Sequence, residues 1–398
     1  MSTPTDLFSL DLATPAPRNR DSIALFSAYY PAQGGGIELV CGDLVSSLCR
    51  LGKKINWLAL EGDTTGIHVD CAVTPLPGTN AIYSRSGIPF PLPKPRAMPR
   101  IWNAVRESSL VIVAEANFIV SCAAFIVAKF QKKPVLLIEH LGAPSTVSAW
   151  VAAMMRVAER FAVRPMLRSA DALVYVSPAV AKHYSGLRTR RAAQIIGHGV
   201  DTELFSPAQS KEEKLGARAQ LGLADGPPLA CFVGRCTTSK GIEVFMRMAE
   251  LRPDWNFVVA GMGPVDPTSC GLSNLKALGH VDRPTLSRLY KASDALVLPS
   301  RSESFSLVVR EALAAGIRVL CGDQIIETDP ALAPFLLVQP VDLDAREVTA
   351  RLFAAALDDP ARSSAAQART YVVENCSWTR IVEKYATLID ELEGGATA

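Results

Sequence analysis

The chain is 398 residues long, 49% hydrophobic and 20% charged, with a formal net charge of +2. That length suits two domains, the composition suits buried α/β layers rather than disorder, and the near-neutral charge gives no general pull toward nucleic acid. The nine cysteines are dispersed without C-x-x-C pairing or metal spacing, as in reduced cytoplasmic proteins.

Residues 1–20 read as a flexible arm without a signal peptide. No uncharged apolar run reaches the roughly 18 residues of a membrane span. Ser22 to Ser27 is a strand candidate that runs through Tyr29-Tyr30-Pro31 into Gly34-Gly35-Gly36. A helical pattern then extends from Ile37 to Leu51 and closes on Gly52. Strand, glycine turn and helix is a context in which backbone amides approach a phosphate. The G-x-G-x-x-G dinucleotide fingerprint is absent. Ile55 to Leu60 is the next strand. The segment from Pro75 to Pro99 carries seven prolines and cannot form a regular helix. It is locally basic through Arg85, Lys94, Arg96 and Arg100, with Phe90, Met98 and Trp102 interleaved. Such a loop suits an acceptor or a membrane surface as well as a solvated connection.

Leu110 to Glu115 reads as a buried strand followed by Asn117 and a helix to Lys129. Pro134 to Ile138 is another, ending in Glu139-His140-Leu141-Gly142. Ligands in open α/β sheets gather beyond the carboxyl ends of strands, so Asn117 and His140 are well placed. Residues 144–168 read as one long helix. Trp150, Met154, Met155, Val157 and Phe161 form an apolar stripe on it, and arginines recur every four residues from Arg156. A solvated face on a core helix explains that arginine row better than contact with phosphate does. Ala172 to Val176 is a strand, Ser177-Pro178 caps a helix, and Ala193 to Ile196 leads into Gly197-His198-Gly199-Val200-Asp201. The domain boundary is expected there.

The α/β rhythm restarts at Leu229 to Val233. Gly234-Arg235 follows, and Lys240-Gly241 opens a helix from Ile242 to Leu251. An Arg and a Lys beside glycines at a strand-to-helix turn suit a diphosphate, because Arg clamps two oxygens and Lys adds a point charge. Phe257 to Ala260 repeats the plan with Gly261-Met262-Gly263. Leu278-Gly279-His280-Val281 comes next, then a helix from Leu286 to Ser293. The strand Ala295 to Leu298 feeds the richest stretch, Pro299-Ser-Arg-Ser-Glu303-Ser304-Phe305-Ser306-Leu307, with Glu311 inside a helix ending at Gly316. The Ser304 to Leu307 amides fall at a helix start, where donors lack intrahelical partners and favour anionic or hydroxyl-rich ligands. Glu303 and Glu311 can grip two hydroxyl-bearing parts of one ligand. Arg318 to Cys321 is a strand, and an amphipathic helix runs from Ser377-Trp378 to Leu392.

The stretch from Pro299 to Gly316 resembles the E-x7-E motif of retaining GT-B glycosyltransferases of family 4, with Ser306 where that family usually has Gly. Gly234-Arg235 with Lys240-Gly241 matches its G-R-x4-K-G pattern. Gly197 to Pro207 resembles its hinge, with His198 where Asn is usual, and the last helix resembles its closing S-W helix. The loop after Cys321 departs from the usual pattern, as does Met262.

The resemblance implies two Rossmann-like domains across a deep cleft, covering 21–200 for acceptor and 201–376 for donor, with 377–394 returning to the first. It places Gly35 and Gly36 beside the donor diphosphate, His140 near the transferred sugar and Val281 near the base. It also implies a hexosyl donor such as a UDP- or GDP-sugar, no cofactor and no metal. Arg235 and Lys240 would bind the diphosphate, with Gly234 and Gly263 beside it. Glu303 and the Ser304–Leu307 amides would orient the sugar, and Glu311 would hold the ribose. A glycan or lipid-linked acceptor at the inner face of the cytoplasmic membrane fits the basic segments of the first half. The alternatives are a non-catalytic sugar-nucleotide-binding module and a GT-B-like sugar-nucleotide epimerase.

Overall fold

A computed structural model of the chain describes residues 22–33, 35–64, 67, 71–80, 91–142, 149–223, 225–301, 303–359 and 365–395, without the side chains of 33 and 149–152. The expected arm at 1–20 therefore lies outside the described residues, as do Gly34, Arg85 and Phe90 and the side chain of Trp150.

The apolar runs become two parallel sheets. The first contains β1 (Ser22–Phe26), β2 (Lys54–Leu60), β3 (Ala72–Leu76), β6 (Ser108–Ala114), β7 (Val135–Glu139), β8 (Ala172–Tyr175) and β9 (Gln194–Ile195), in the order β3-β2-β1-β6-β7-β8-β9. A short antiparallel pair, β4 (Gly78–Thr79) and β5 (Leu92–Pro93), stands apart from it. The second contains β10 (Leu229–Val233), β11 (Asn256–Ala260), β12 (Leu275–Gly279), β13 (Ala295–Leu298), β14 (Arg318–Gly322) and β15 (Leu337–Gln339), in the order β12-β11-β10-β13-β14-β15. Strands covered by helices on both faces read as near-continuous apolar runs, and β10 and β13 are buried throughout. In each sheet the strand order reverses once, between β1 and β6 and between β10 and β13. Loops at the carboxyl ends of such a reversal diverge and leave a crevice.

Local signals explain the element ends. Ser177 accepts a hydrogen bond from Val180 N and caps the helix Pro178–His183. The proline segment is extended around β4 and β5, and a helix, Met98–Glu107, starts with Pro99 in its first turn. Pro75 sits in β3, an edge strand, where a missing N–H is tolerated.

The long helix expected over 144–168 differs from its expectation. It is described from Ala149 to Ala158, widens into a π turn at Glu159–Val163, and ends as Arg164–Ser169. Its expected core stripe is not a core stripe: Met154, Val157 and Phe161 are exposed, and the buried residues are Val163, Met166 and Leu167 near the C-terminal end. Only past the π turn does the helix settle on the sheet.

Two hydrophobic cores follow the two sheets. One gathers residues from Ile23 to Ile196 together with Trp378, Ile381, Val382, Tyr385, Leu388, Ile389 and Leu392. The other runs from Val200 to Cys376. The closing helix Trp378–Gly395 thus completes the first core although it follows the second in sequence. The two crossings lie side by side: Val200 N donates to Cys376 O at 2.8 Å and Trp378 N donates to Val200 O at 3.2 Å. Ile389→Ala, at a fully buried position of the closing helix, is expected to cost about 2–5 kcal/mol. Amide exchange should accelerate in β1, β2 and β6 ahead of β10 to β14, which hydrogen-exchange mass spectrometry would measure.

Candidate active site

The second sheet presents its loops at the reversal between β10 and β13. After β10, Gly234 leads to an exposed Arg235, and a short turn ends at Lys240. Gly241 must be glycine: its φ is +74°, and a Cβ there would lie 2.1 Å from the Pro299 carbonyl oxygen. Arg301 N donates to Ser239 O at 3.1 Å, which ties the β10 and β13 loops together. The result is an ion pair of 2.5 Å between Lys240 Nζ and Glu303 Oε1, with Glu303 largely buried. Gly263 brings the β11 loop against the backbone of Cys236, whose N–H donates to Met262 O. The Met262 side chain points to solvent. Val281 follows β12, the edge strand of this sheet, and is half-buried against the second core.

Ser304, Phe305 and Ser306 precede the helix Leu307–Ala314, whose first amides have no side-chain cap. The loop is held by Arg310, only 2% exposed. Its guanidinium lies 3.7 Å from the centre of the Phe305 ring, donates to Ser306 O at 3.0 Å and pairs with Asp329 at 2.8 Å. A buried cation stacked on an aromatic face and donating to two acceptors is a rigid support. One turn on, Glu311 accepts from Tyr290 OH at 3.1 Å. Burial pushes its carboxyl up to about 7, with Arg283 opposing the rise. Arg283 itself pairs with Asp43 of the first unit at 2.7 Å, and Asp43 also accepts from Trp378 Nε1 at 3.1 Å.

The first unit brings up its own reversal. Gly35 precedes the helix Gly36–Arg50, and the buried Glu38 carboxylate folds back over it, into the space a Cβ at Gly35 would take. Beyond β6 and β7 lie two carboxyl groups, Glu115 and Glu139, both fully buried. Glu115 adopts φ +73°, a strained conformation for a residue with a Cβ. Its Oε2 accepts from the backbone N–H groups of His140 (3.0 Å) and Leu141 (3.1 Å). Its Oε1 accepts from the Asn117 backbone (3.2 Å) and side-chain amide. Glu139 accepts from Ala116 N, Asn117 Nδ2 and Tyr184 OH. Burial, then the charge of Glu115, raises Glu139 far above the ordinary carboxyl range. Burial raises Glu115 as well, but the four N–H donors around its oxygens favour its charged form, so Glu139 is the one expected to keep a proton.

The two faces touch. Ser177 Oγ donates to Ser304 O at 2.6 Å. His140 Nδ1 lies 3.3 Å from His198 Nε2, and the His198 ring meets the edge of Phe305 at 4.5 Å between centroids. Among the described residues, four buried side-chain polar atoms lack a hydrogen-bond partner. Two of them are His140 Nε2 and Ser306 Oγ, on facing loops of this cleft. The structure thus joins Lys240 to Glu303 directly, Asn117 to the His140 loop through Glu115, and His140 to Phe305 through His198. Gly35 and Gly36 stand at the neighbouring strand end, and Val281 lies at the sheet edge. Glu115, Glu139, Tyr290 and Arg310 belong to the same assembly and carry no motif. The sequence signal for the two glutamates was a carboxylate closing each of two apolar strand runs.

Residues 34–204 match the sequence model of Glycosyltransferase Family 4, and residues 213–328 match that of Glycosyl transferases group 1. The chain belongs to this glycosyltransferase family. Over 176 residues it is 35% identical to a D-inositol 3-phosphate glycosyltransferase of Mycolicibacterium vanbaalenii, covering 38% of each chain. Over 260 residues it is 25% identical to the sulfoquinovosyl transferase SQD2 of Arabidopsis thaliana, covering 61% of this chain and 49% of that one. The alignments span between about a third and a half of these relatives' lengths. The fold is that of sucrose-phosphate synthase from Thermosynechococcus elongatus, with TM-score 0.71 at 20% identity over 94% of this chain and all of that one. It is also that of Anabaena HepE in complex with UDP and glucose, with TM-score 0.71 at 16% identity over 93% and 99% of the two chains. With its two parallel Rossmann-like sheets, the chain has the GT-B glycosyltransferase fold.

Replacing Glu139 by Gln tests the proton on Glu139. The folded state keeps a proton on Glu139 that the unfolded chain releases above the ordinary value of 4.5. That contribution to stability is full below 4.5 and is lost as pH rises toward the elevated folded value. Urea midpoints measured from about pH 5 to 8 should fall with pH more steeply in the wild type than in Glu139→Gln. Equal slopes would remove the proton from Glu139.

Proposed function

We propose that the chain is a retaining hexosyltransferase that moves a sugar from a nucleotide diphosphate, UDP or GDP, to a glycan or lipid-linked acceptor. The observation that carries this reading is the Lys240–Glu303 ion pair beside exposed Arg235 at the reversal of the second sheet. A diphosphate arriving there competes for Lys240 and releases Glu303. The freed carboxylate accepts hydroxyls of the sugar, while Lys240 and Arg235 neutralise the charge that grows on the phosphate as the glycosidic bond breaks. Glu311, backed by Tyr290, accepts the ribose hydroxyls. The Ser304–Leu307 amides and Asn117 line the sugar, and Gly35 and Gly36 let the first helix approach the phosphates. His140 lies at the transfer centre. Attack comes from the face the phosphate leaves, so no side-chain nucleophile is invoked. Two cations at the phosphate take the part of a metal ion in this reading. The UDP complex of HepE, which shares the fold, supports a nucleotide-sugar donor.

The first unit also offers a surface for an anionic membrane. Phe130 and Phe161 are 74% and 72% exposed. Phe130 leans on half-exposed Trp102, and Lys129, Arg160 and Arg168 lie on the same helices. Apolar anchors interleaved with cations suit peripheral attachment. No helix among the described residues is long and apolar enough to cross a membrane. Attachment at the cytoplasmic face is therefore proposed as peripheral, and liposome flotation that ignores anionic lipid would count against it.

Lys240→Ala is expected to keep the fold and lower kcat/KM for transfer at least about tenfold. An unchanged value would remove Lys240 from the site. Thermal shift against UDP-, GDP- and ADP-sugars should give a rise of several degrees with one nucleotide that a chelator does not alter. Donor affinity is expected to strengthen as pH rises through about 7, where Glu311 ionises and becomes acceptor-only.

A further inference from the structure

His140 is fixed at its backbone N–H and at one of its two ring nitrogens. Its backbone N–H is held by Glu115, and its Nδ1 faces His198 Nε2 at 3.3 Å. The other ring nitrogen, Nε2, is buried and has no partner in the protein. The planes of the two rings lie 23° apart, and each ring is almost completely buried. Burial holds both rings neutral: it lowers His140 to about 3, and with His140 and Arg310 nearby it lowers His198 well below its ordinary value. Two neutral rings in contact share one hydrogen between the facing nitrogens. Either His198 donates and His140 keeps its proton on Nε2, or His140 donates from Nδ1 and presents a bare lone pair on Nε2.

We propose that His198 is a positioning residue that donates to His140 Nδ1 and so locks His140 with its proton on Nε2, a fixed donor aimed at an oxygen of the bound sugar nucleotide. Two arguments favour this arrangement. A neutral imidazole intrinsically prefers the proton on Nε2. An N–H also matches every oxygen such a ligand offers, including phosphate oxygens that have no hydrogen to give, whereas a lone pair matches hydroxyls alone. His198 is suited to the task because it sits in the hinge and is wedged by the second unit. Phe305 packs on its ring, and a Cβ on neighbouring Gly197 would lie 2.9 Å from Phe305. The orientation of His140 therefore depends on the seating of the 303–307 loop. The identity of the ligand rests on the function proposed above; the location of the proton does not.

The test is nitrogen NMR of ¹⁵N-histidine-labelled, ligand-free protein, with His140 assigned by loss of its signals in His140→Asn. The expected spectrum has a protonated Nε2 and an unprotonated, hydrogen-bonded Nδ1 on His140. A proton on Nδ1 would overturn the proposal whatever the enzyme does. His198→Phe should mix the His140 tautomers and lower kcat about tenfold, with the donor KM changed less than about twofold. His198→Asn keeps an N–H donor in the hinge and should restore both the spectrum and the rate. Unchanged tautomers and rate in His198→Phe would also overturn it. Failure of the wild type to transfer any sugar would count against the proposed function and leave the spectrum to decide the tautomer.

Discussion

In the second unit the strand loops approach one another more closely than side chains would allow. A Cβ on Gly261 would fall 1.8 Å from the Gly234 carbonyl oxygen, and one on Gly241 would fall 2.1 Å from that of Pro299. Contact of backbone on backbone at the sheet reversal makes the ends of β10, β11 and β13 one continuous surface. Lys240 and Glu303, 63 positions apart, meet at 2.5 Å because of it. The uncapped amides before Leu307 and the exposed Arg235 project from the same surface. The site is assembled by the backbone first and decorated by side chains second.

Side chains then carry this surface to the first unit. Arg310 supports Phe305, Phe305 abuts His198, His198 faces His140, and Glu115 holds the His140 backbone. Each contact is buried, so little water screens it, and each polar group that lacked a partner would cost stability. His140 Nε2 and Ser306 Oγ are the exceptions. A ligand atom reaching either one would supply the partner that the protein does not. The strained backbone of Glu115 has a similar meaning: its carboxyl reaches two successive amides of the His140 loop from a conformation the residue alone would avoid.

Much of this was legible in the residues. Unbroken apolar runs gave the strands, glycines at helix ends gave the stops, and Gly316 at φ +71° closes its helix as its position suggested. That Lys240 and Glu303 face one crevice was legible because each stands at a strand-to-helix turn of the second sheet. The support beneath them was not. Arg310 reads as a surface arginine until Phe305 and Asp329 are seen around it, and Glu115 and Glu139 are 24 positions apart in sequence although their strands are neighbours. The stripe of Met154, Val157 and Phe161 misled because helical spacing reports that a face is apolar and not what covers it.

The closing helix has a consequence for biosynthesis. A ribosome releases β1 through β9 long before Trp378 to Leu392 exist, so the first core is left with an open face while the second unit is still being made. The second core, ending at Cys376, has all its parts first. The second core can thus close before the first, which waits with one face open until the closing helix has been made. Such a chain has reason to stay close to a chaperone throughout its synthesis.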